Sequence, residues 1–145
     1  MKNLFKKICI ASDHAGFNLK EHIKDFLISK NVSIIDLGPI NENSVDYPDY
    51  AKKVSKRVKS KKSDAGILVC GSGTGMAISA NKTKGIRASV CYNLKSTRLS
   101  RQHNDANIIA LGSRLTKKKT AIKLVSIFFE TKFEGGRHLR RVKKI

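Results

Sequence analysis

Asp64-Ala65-Gly66-Ile67-Leu68-Val69-Cys70-Gly71-Ser72-Gly73-Thr74-Gly75-Met76-Ala77-Ile78-Ser79-Ala80-Asn81 is the stretch from which the rest of the chain can be read. The apolar run over residues 67–69 has the unbroken hydrophobicity of a strand buried on both faces of a parallel sheet. Residues 76–80 read as the opening of a helix packed on that sheet. Between them stand Cys70 and the glycines Gly71, Gly73 and Gly75, which let the backbone come close to a ligand. The helix beginning near Thr74 turns its free amides and the positive end of its dipole into the same space, so the loop predicts an anion pocket. A cysteine beside such a helix end is expected to favour the thiolate, which serves as a base or a nucleophile.

Two familiar Gly-loop readings fail. A dinucleotide fingerprint has its third glycine where Met76 stands, and no acidic residue lies between Asp64 and Asp105 to hold a ribose. A phosphate-binding P-loop closes with Gly-Lys-Ser or Gly-Lys-Thr, and neither follows here. A plainer alternative stays open at this point: a turn that reverses the chain, or binds a phosphate, without doing chemistry.

Outward from this loop, strand alternates with helix. Residues 7–12 read as a strand that ends in Asp13-His14-Ala15-Gly16, and a helix follows over 17–30 with Phe17, Ile23, Phe26 and Leu27 near the 3.6-residue repeat. A second strand over 32–37 closes at Gly38-Pro39, and a polar loop leads to Asp46-Tyr47-Pro48-Asp49-Tyr50 and a second helix. After the glycine loop come a strand over 86–91, a short helix over 94–102, a strand over 107–111, a helix over 116–129 and a basic tail over 137–144. This order predicts one three-layer, Rossmann-like α/β domain over residues 1–145. It has a five-stranded parallel sheet with helices on both faces, plus a C-terminal helical tail. Ligands bind such sheets beyond the carboxyl ends of the strands, where the strand order reverses, so Asp13, His14, Cys70 and Arg114 are expected along one sheet edge. Asp13 also suits a helix cap. His22 lies inside the first helix and His138 in the basic tail, while Cys9 and Cys91 read as core residues.

Thirty Lys and Arg against 11 Asp and Glu give a formal net charge of +19, which raises nucleic acid or another polyanion as a partner. The lysines are spread over nearly every predicted helix, with neither an aromatic RNA-binding signature nor a DNA-reading helix. The densest run, over 52–62, keeps Ala51, Val54 and Val58 on one helical face and leaves its lysines to solvent. Specific nucleic-acid binding is therefore not expected, although weak, salt-sensitive adhesion to polyanions is. The apolar residues after the basic start meet Asp13 and His14 at once, so neither a signal peptide nor a membrane anchor is expected, and a cytoplasmic location is. Three cysteines without metal-ligand spacing read as reduced thiols.

Several motifs now stand in order along nearly the whole chain: Asp13-His14-Ala15-Gly16, Asp46-Tyr47-Pro48, Cys70-Gly71-Ser72-Gly73-Thr74-Gly75, Ser100-Arg101-Gln102-His103-Asn104-Asp105, Gly112-Ser113-Arg114 and Glu134-Gly135-Gly136-Arg137-His138. Together they resemble the type B ribose-5-phosphate isomerases. The resemblance implies interconversion of ribose 5-phosphate and ribulose 5-phosphate, without metal or cofactor, by dimers or tetramers of a Rossmann-like domain. Related members act on galactose 6-phosphate or allose 6-phosphate. The resemblance further implies that Cys70 is the base that carries a proton between C2 and C1. The amides of Gly71, Ser72, Gly73, Thr74 and Gly75, with the Ser72 hydroxyl, match an anion hole. His103 matches the residue that opens the furanose ring, and Asp13 one that assists or orients the sugar. His14, Arg114, Arg137 and Arg141 match phosphate contacts, and Asn104 a contact to a sugar hydroxyl. Some members lack the cysteine and use a glutamate of the glycine loop, but position 76 here is Met76, so the thiolate is the implied base. Elementary chemistry agrees, since moving a carbonyl requires removal of the neighbouring proton and stabilisation of the resulting enediolate.

One topological expectation follows. His103 and Asn104 precede the fifth strand, and Arg137 lies beyond the helix after it, so all three belong at the sheet edge opposite Cys70. A two-fold homodimer would bring His103, Asn104, Arg137 and Arg141 of one chain to the Cys70 pocket of its partner, whereas a helix after Leu94 that folds back early would let His103 reach Cys70 within one chain.

Overall fold

A computed structural model describes residues 1–145. The chain runs β1 (Ile8–Ser12), α1 (Phe17–Ser29), β2 (Ile34–Asp36), α2 (Tyr47–Lys59), β3 (Ala65–Cys70), α3 (Thr74–Asn81), β4 (Ala88–Val90), α4 (Leu94–Asn104), β5 (Ile108–Gly112), α5 (Lys118–Glu130) and α6 (Gly136–Val142). The five strands form one sheet in the order β2-β1-β3-β5-β4, and every pair is parallel. The order reverses between β1 and β3, which puts the loops after these two strands side by side at the carboxyl edge. The expected α/β architecture is the observed one, and α6 is the helical tail.

The central strands are buried at every residue, as their unbroken apolar character requires. The edge strands differ. β2 and β4 were expected over 32–37 and 86–91, yet each keeps only three residues. Each pairs on one side alone, Ile34–Asp36 against Ile8–Ile10 of β1 and Ala88–Val90 against Ile108–Ala110 of β5, so as edge strands they stop two residues before their neighbours do.

Two apolar clusters make the core, one on each face of the sheet. Ile10, Ile67 and Leu111 pack with Ile23 and Leu27 of α1 and with Leu124, Phe128 and Phe129 of α5. On the other face Cys9, Leu68 and Ala110 meet Val54 and Val58 of α2 and Met76 and Ala80 of α3. α2 lies so close that a β-carbon at Gly66 would stand 2.4 Å from Val54 Cγ1. The lysines of α2 point outward, as its pattern predicted. Cys9 and Cys91 are buried core thiols, again as expected. No helix is long and apolar enough to cross a membrane.

Of the charged side chains in the interior, Lys20 is the most deeply buried. Lys20 of α1 is fully buried, with its Nζ 2.6 Å from Glu21 and 2.7 Å from Asp36 at the end of β2. Lys24 joins the same two carboxylates at 2.6 and 2.9 Å. Burial opposes ionisation of Asp36, but hydrogen bonds from Lys20 and Lys24 outweigh it and hold the carboxyl below its ordinary range. The buried Lys20 Nζ is thus met by two carboxylates, and α1 is pinned to the edge strand.

Candidate active site

Cys70 is the last residue of β3 and is 4% exposed. Its Sγ accepts the N–H of Gly73 at 3.1 Å. Gly73 reaches that position with φ of +80°, a left-handed conformation that suits glycine, and a β-carbon there would lie 3.0 Å from the Leu111 carbonyl carbon. α3 begins at the next residue, so its N-terminus faces the sulfur's surroundings. The two other thiols sit differently. Burial pushes Cys9 up to about 11 and also raises Cys91, which keeps both as inert thiols.

The sulfur borders a cavity of about 540 Å³ whose walls include Asp13, Tyr47, Ser72, Ile78, Arg114 and Leu115. Three loops build these walls and are tied together by the backbone. Ser113 N–H donates to the Cys70 carbonyl at 2.8 Å, Arg114 N–H donates to the Gly71 carbonyl at 3.0 Å, and Ser113 Oγ donates to the Ala15 carbonyl at 2.8 Å. The Arg114 guanidinium lies directly against Gly71, where a β-carbon would approach Nη1 to 2.8 Å. A cation is thereby held beside the glycine loop.

Asp13 does both of the things its position allowed. Its Oδ1 accepts the Gly16 N–H at 2.9 Å, fixing the turn into α1, while the carboxylate also lines the cavity. His14 stands just beside this wall, with Nδ1 accepting the Val45 N–H at 3.2 Å. In the neutral ring this bond leaves the proton on Nε2 as a donor. Within the glycine loop the Thr74 N–H turns to Ser72 Oγ at 3.3 Å, and the Gly73 N–H to the sulfur. The N–H groups of Gly71, Ser72 and Gly75 have no acceptor in the chain, so these are the loop amides available to an anion.

His103 and Asn104 lie elsewhere. α4 starts near Tyr92, whose hydroxyl donates to the Ser72 carbonyl at 3.5 Å, and its 11 residues carry the chain back to the amino edge of the sheet. An 11-residue helix is about 16 Å long, roughly the length of β5, so the helix returns the chain across the whole sheet. There the Glu134 N–H donates to the Gln102 carbonyl at 3.0 Å, and α6 brings Arg137, His138 and Arg141 against α4. The His103 and His138 rings stack with centroids 4.2 Å apart and planes 11° apart. His138 is buried, and that burial, with the neighbouring charges of His103 and Arg137, holds its imidazole below the ordinary range. One chain therefore gathers Asp13, Cys70, the glycine loop and Arg114, with His14 alongside. It does not bring them to His103, Asn104, Arg137 or Arg141.

Sequence reading left out the apolar rim. Tyr47 packs on Gly75, where a β-carbon would meet the ring at 2.8 Å, and Ile78 and Leu115 remain 59% and 63% exposed beside the cavity. The local signals were Tyr47 within the Asp46-Tyr47-Pro48 motif and Gly75, small enough to admit its ring.

Residues 8–145 match the family model described as Ribose/Galactose Isomerase. The ribose-5-phosphate isomerase B of Escherichia coli is 45% identical over 140 residues, covering 97% of this chain and 94% of that one. The solved ribose-5-phosphate isomerase B of Clostridium thermocellum superposes with a TM-score of 0.94 at 50% identity, covering 95% of this chain and 93% of the other. That of Mycoplasma genitalium, solved with ribulose-5-phosphate bound, gives a TM-score of 0.91 at 44% identity, with coverage of 95% and 92%. With a parallel sheet, a thiol at its carboxyl edge and a match that runs to the last residue, the chain belongs to the ribose/galactose isomerase family.

Proposed function

We propose that this chain interconverts D-ribose 5-phosphate and D-ribulose 5-phosphate in the cytoplasm, acting as one domain over residues 1–145 and paired as a homodimer. The observation that carries the reading is the Cys70 sulfur at the end of β3, bordering a cavity walled by Asp13 and Arg114. Ring opening moves the proton of the anomeric hydroxyl to the ring oxygen as the C1–O bond breaks, a transfer suited to His103. The Cys70 thiolate then takes the C2 proton, and the C–H electron pair forms the C1–C2 double bond of a cis-enediolate. Negative charge collects on O1, where the free amides of Gly71, Ser72 and Gly75 can receive it. Moving the hydroxyl proton from O2 to O1 and returning the Cys70 proton to C1 yields the ketose, with no net change of oxidation state. His14, Arg114, Arg137 and Arg141 take the phosphate, for which guanidinium forks suit. Asn104 takes a sugar hydroxyl.

Pairing is part of this reading because His103, Asn104, Arg137 and Arg141 stand at the far sheet edge. The exposed Ile78, Leu115 and Tyr92 around the cavity give a second chain an apolar surface to cover. The test is isomerisation of ribose 5-phosphate by purified protein, beside Cys70→Ala and beside allose 6-phosphate and galactose 6-phosphate. Pentose turnover that collapses about a thousandfold in Cys70→Ala is the expected result. Turnover of a hexose phosphate alone would keep the chemistry and change the substrate. Binding without turnover would replace the enzyme with a sugar-phosphate binder.

A further inference from the structure

His103, Glu134 and His138 converge at the amino edge of the sheet, and their ligand atoms all lie within 4.8 Å of one another. His138 is 8% exposed, and its Nε2 has no hydrogen-bond partner. That nitrogen points toward Glu134 Oε2 at 3.5 Å, and His103 Nε2 lies 4.0 Å from the same oxygen. A buried ring nitrogen without a partner is costly, because water was lost and nothing replaced it. Here the orphan faces a second imidazole and a carboxylate.

We propose that His103, Glu134 and His138 form a binding site for a transition-metal dication of the zinc type. Two imidazoles and one carboxylate are a donor set that zinc accepts with one position left open. Ligand atoms around a tetrahedral zinc stand about 3.4 Å apart, which follows from bonds of about 2.0–2.1 Å. The cluster has to tighten only modestly to reach that spacing. Its members are suited to do so, because the His138 side chain is 10% exposed and fixed, while those of His103 and Glu134 are 37% and 48% exposed and free to swing. The stacked rings must splay so that both lone pairs meet the ion. Arg137 and Arg141 on α6 oppose the dication and weaken its binding.

The bearing of this site on catalysis rests on the isomerase reading above. A metal on His103 Nε2 removes the group that moves the ring-opening proton, so zinc silences the enzyme without touching Cys70.

The experiment is a titration of the chelator-treated full chain with Co²⁺, followed by the visible absorption of a four-coordinate ion, then displacement by Zn²⁺. One Co²⁺ per chain is expected. Glu134→Gln and His138→Ala should each weaken binding about tenfold or more. Cys70→Ala should leave the spectrum unchanged, with no thiolate charge-transfer band in either protein. Absence of the visible bands at saturating Co²⁺, or binding indifferent to both Glu134→Gln and His138→Ala, overturns the site. Zinc turnover assays separate the two readings. Zinc bound as expected that leaves the ribose 5-phosphate rate unchanged keeps the metal site and removes the ring-opening role of His103.

Discussion

The N–H of Gly73 points at the Sγ of Cys70 from 3.1 Å, across a turn that only a left-handed backbone can make. The bond ties the candidate base to the first residues of α3 and joins its orientation to the conformation of one glycine. Gly73→Ala forces a side chain into the left-handed region and toward Leu111. A loss of about 1–3 kcal/mol in stability is expected. Urea unfolding measures that loss, and isomerase turnover should fall more than the unfolded fraction accounts for.

The three cysteines should react unequally. Cys9 and Cys91 are fully buried and raised by that burial, whereas Cys70 borders a cavity. Brief iodoacetamide treatment of the native protein, followed by peptide mass spectrometry, should find the label at Cys70 first. Sugar phosphate should slow that labelling, and equal labelling of all three would show that the chain opens globally before it reacts.

Separation of Cys70 from His103 within the chain makes a complementation experiment decisive. Cys70→Ala and His103→Ala should each be nearly inactive alone. Unfolded and refolded together in equal amounts, half of the chains pair as mixed dimers, each with one intact composite site, so about a quarter of the wild-type sites should return. Mixed dimers verified by tagging that stay inactive would place both residues in the same chain's site.

Acid stability should depend on the Lys20 cluster. Burial works against the charged carboxylates of Glu21 and Asp36, and the lysines overcome it, so both titrate lower when folded than when unfolded. Their contribution is present above the unfolded values and is lost as pH falls through the folded ones, a window that opens near the ordinary values of 4.5 for Glu21 and 3.8 for Asp36. Thermal melts between neutral pH and pH 2 should show a shallower acid decline in Asp36→Asn, which also starts lower at neutral pH because Lys20 is left with one carboxylate fewer.

A net charge of +19 should steer phosphorylated sugars to the enzyme. kcat/KM for ribose 5-phosphate is expected to fall as salt rises while kcat changes little. A kcat/KM indifferent to ionic strength, with the fold intact by circular dichroism, would remove the steering.

Much of this protein is decided locally, which is why it can be read from the chain. Strand–helix alternation with buried runs at residues 67–69 and 107–111 leaves few arrangements besides a parallel sheet, because each crossover must be right-handed and covered. The glycine loop likewise announces its anion pocket, since Gly71, Gly73 and Gly75 matter for the backbone they permit. Tertiary structure alone decided the rest. β2 and β4 keep three residues each because only one neighbour holds an edge strand, and each leaves that neighbour two residues before it ends. Tyr47 reaches Gly75 only once α2 and α3 pack on one face of the sheet. His138 finds His103 because α6 folds back on α4, a pairing between residues 35 positions apart that no local pattern encodes.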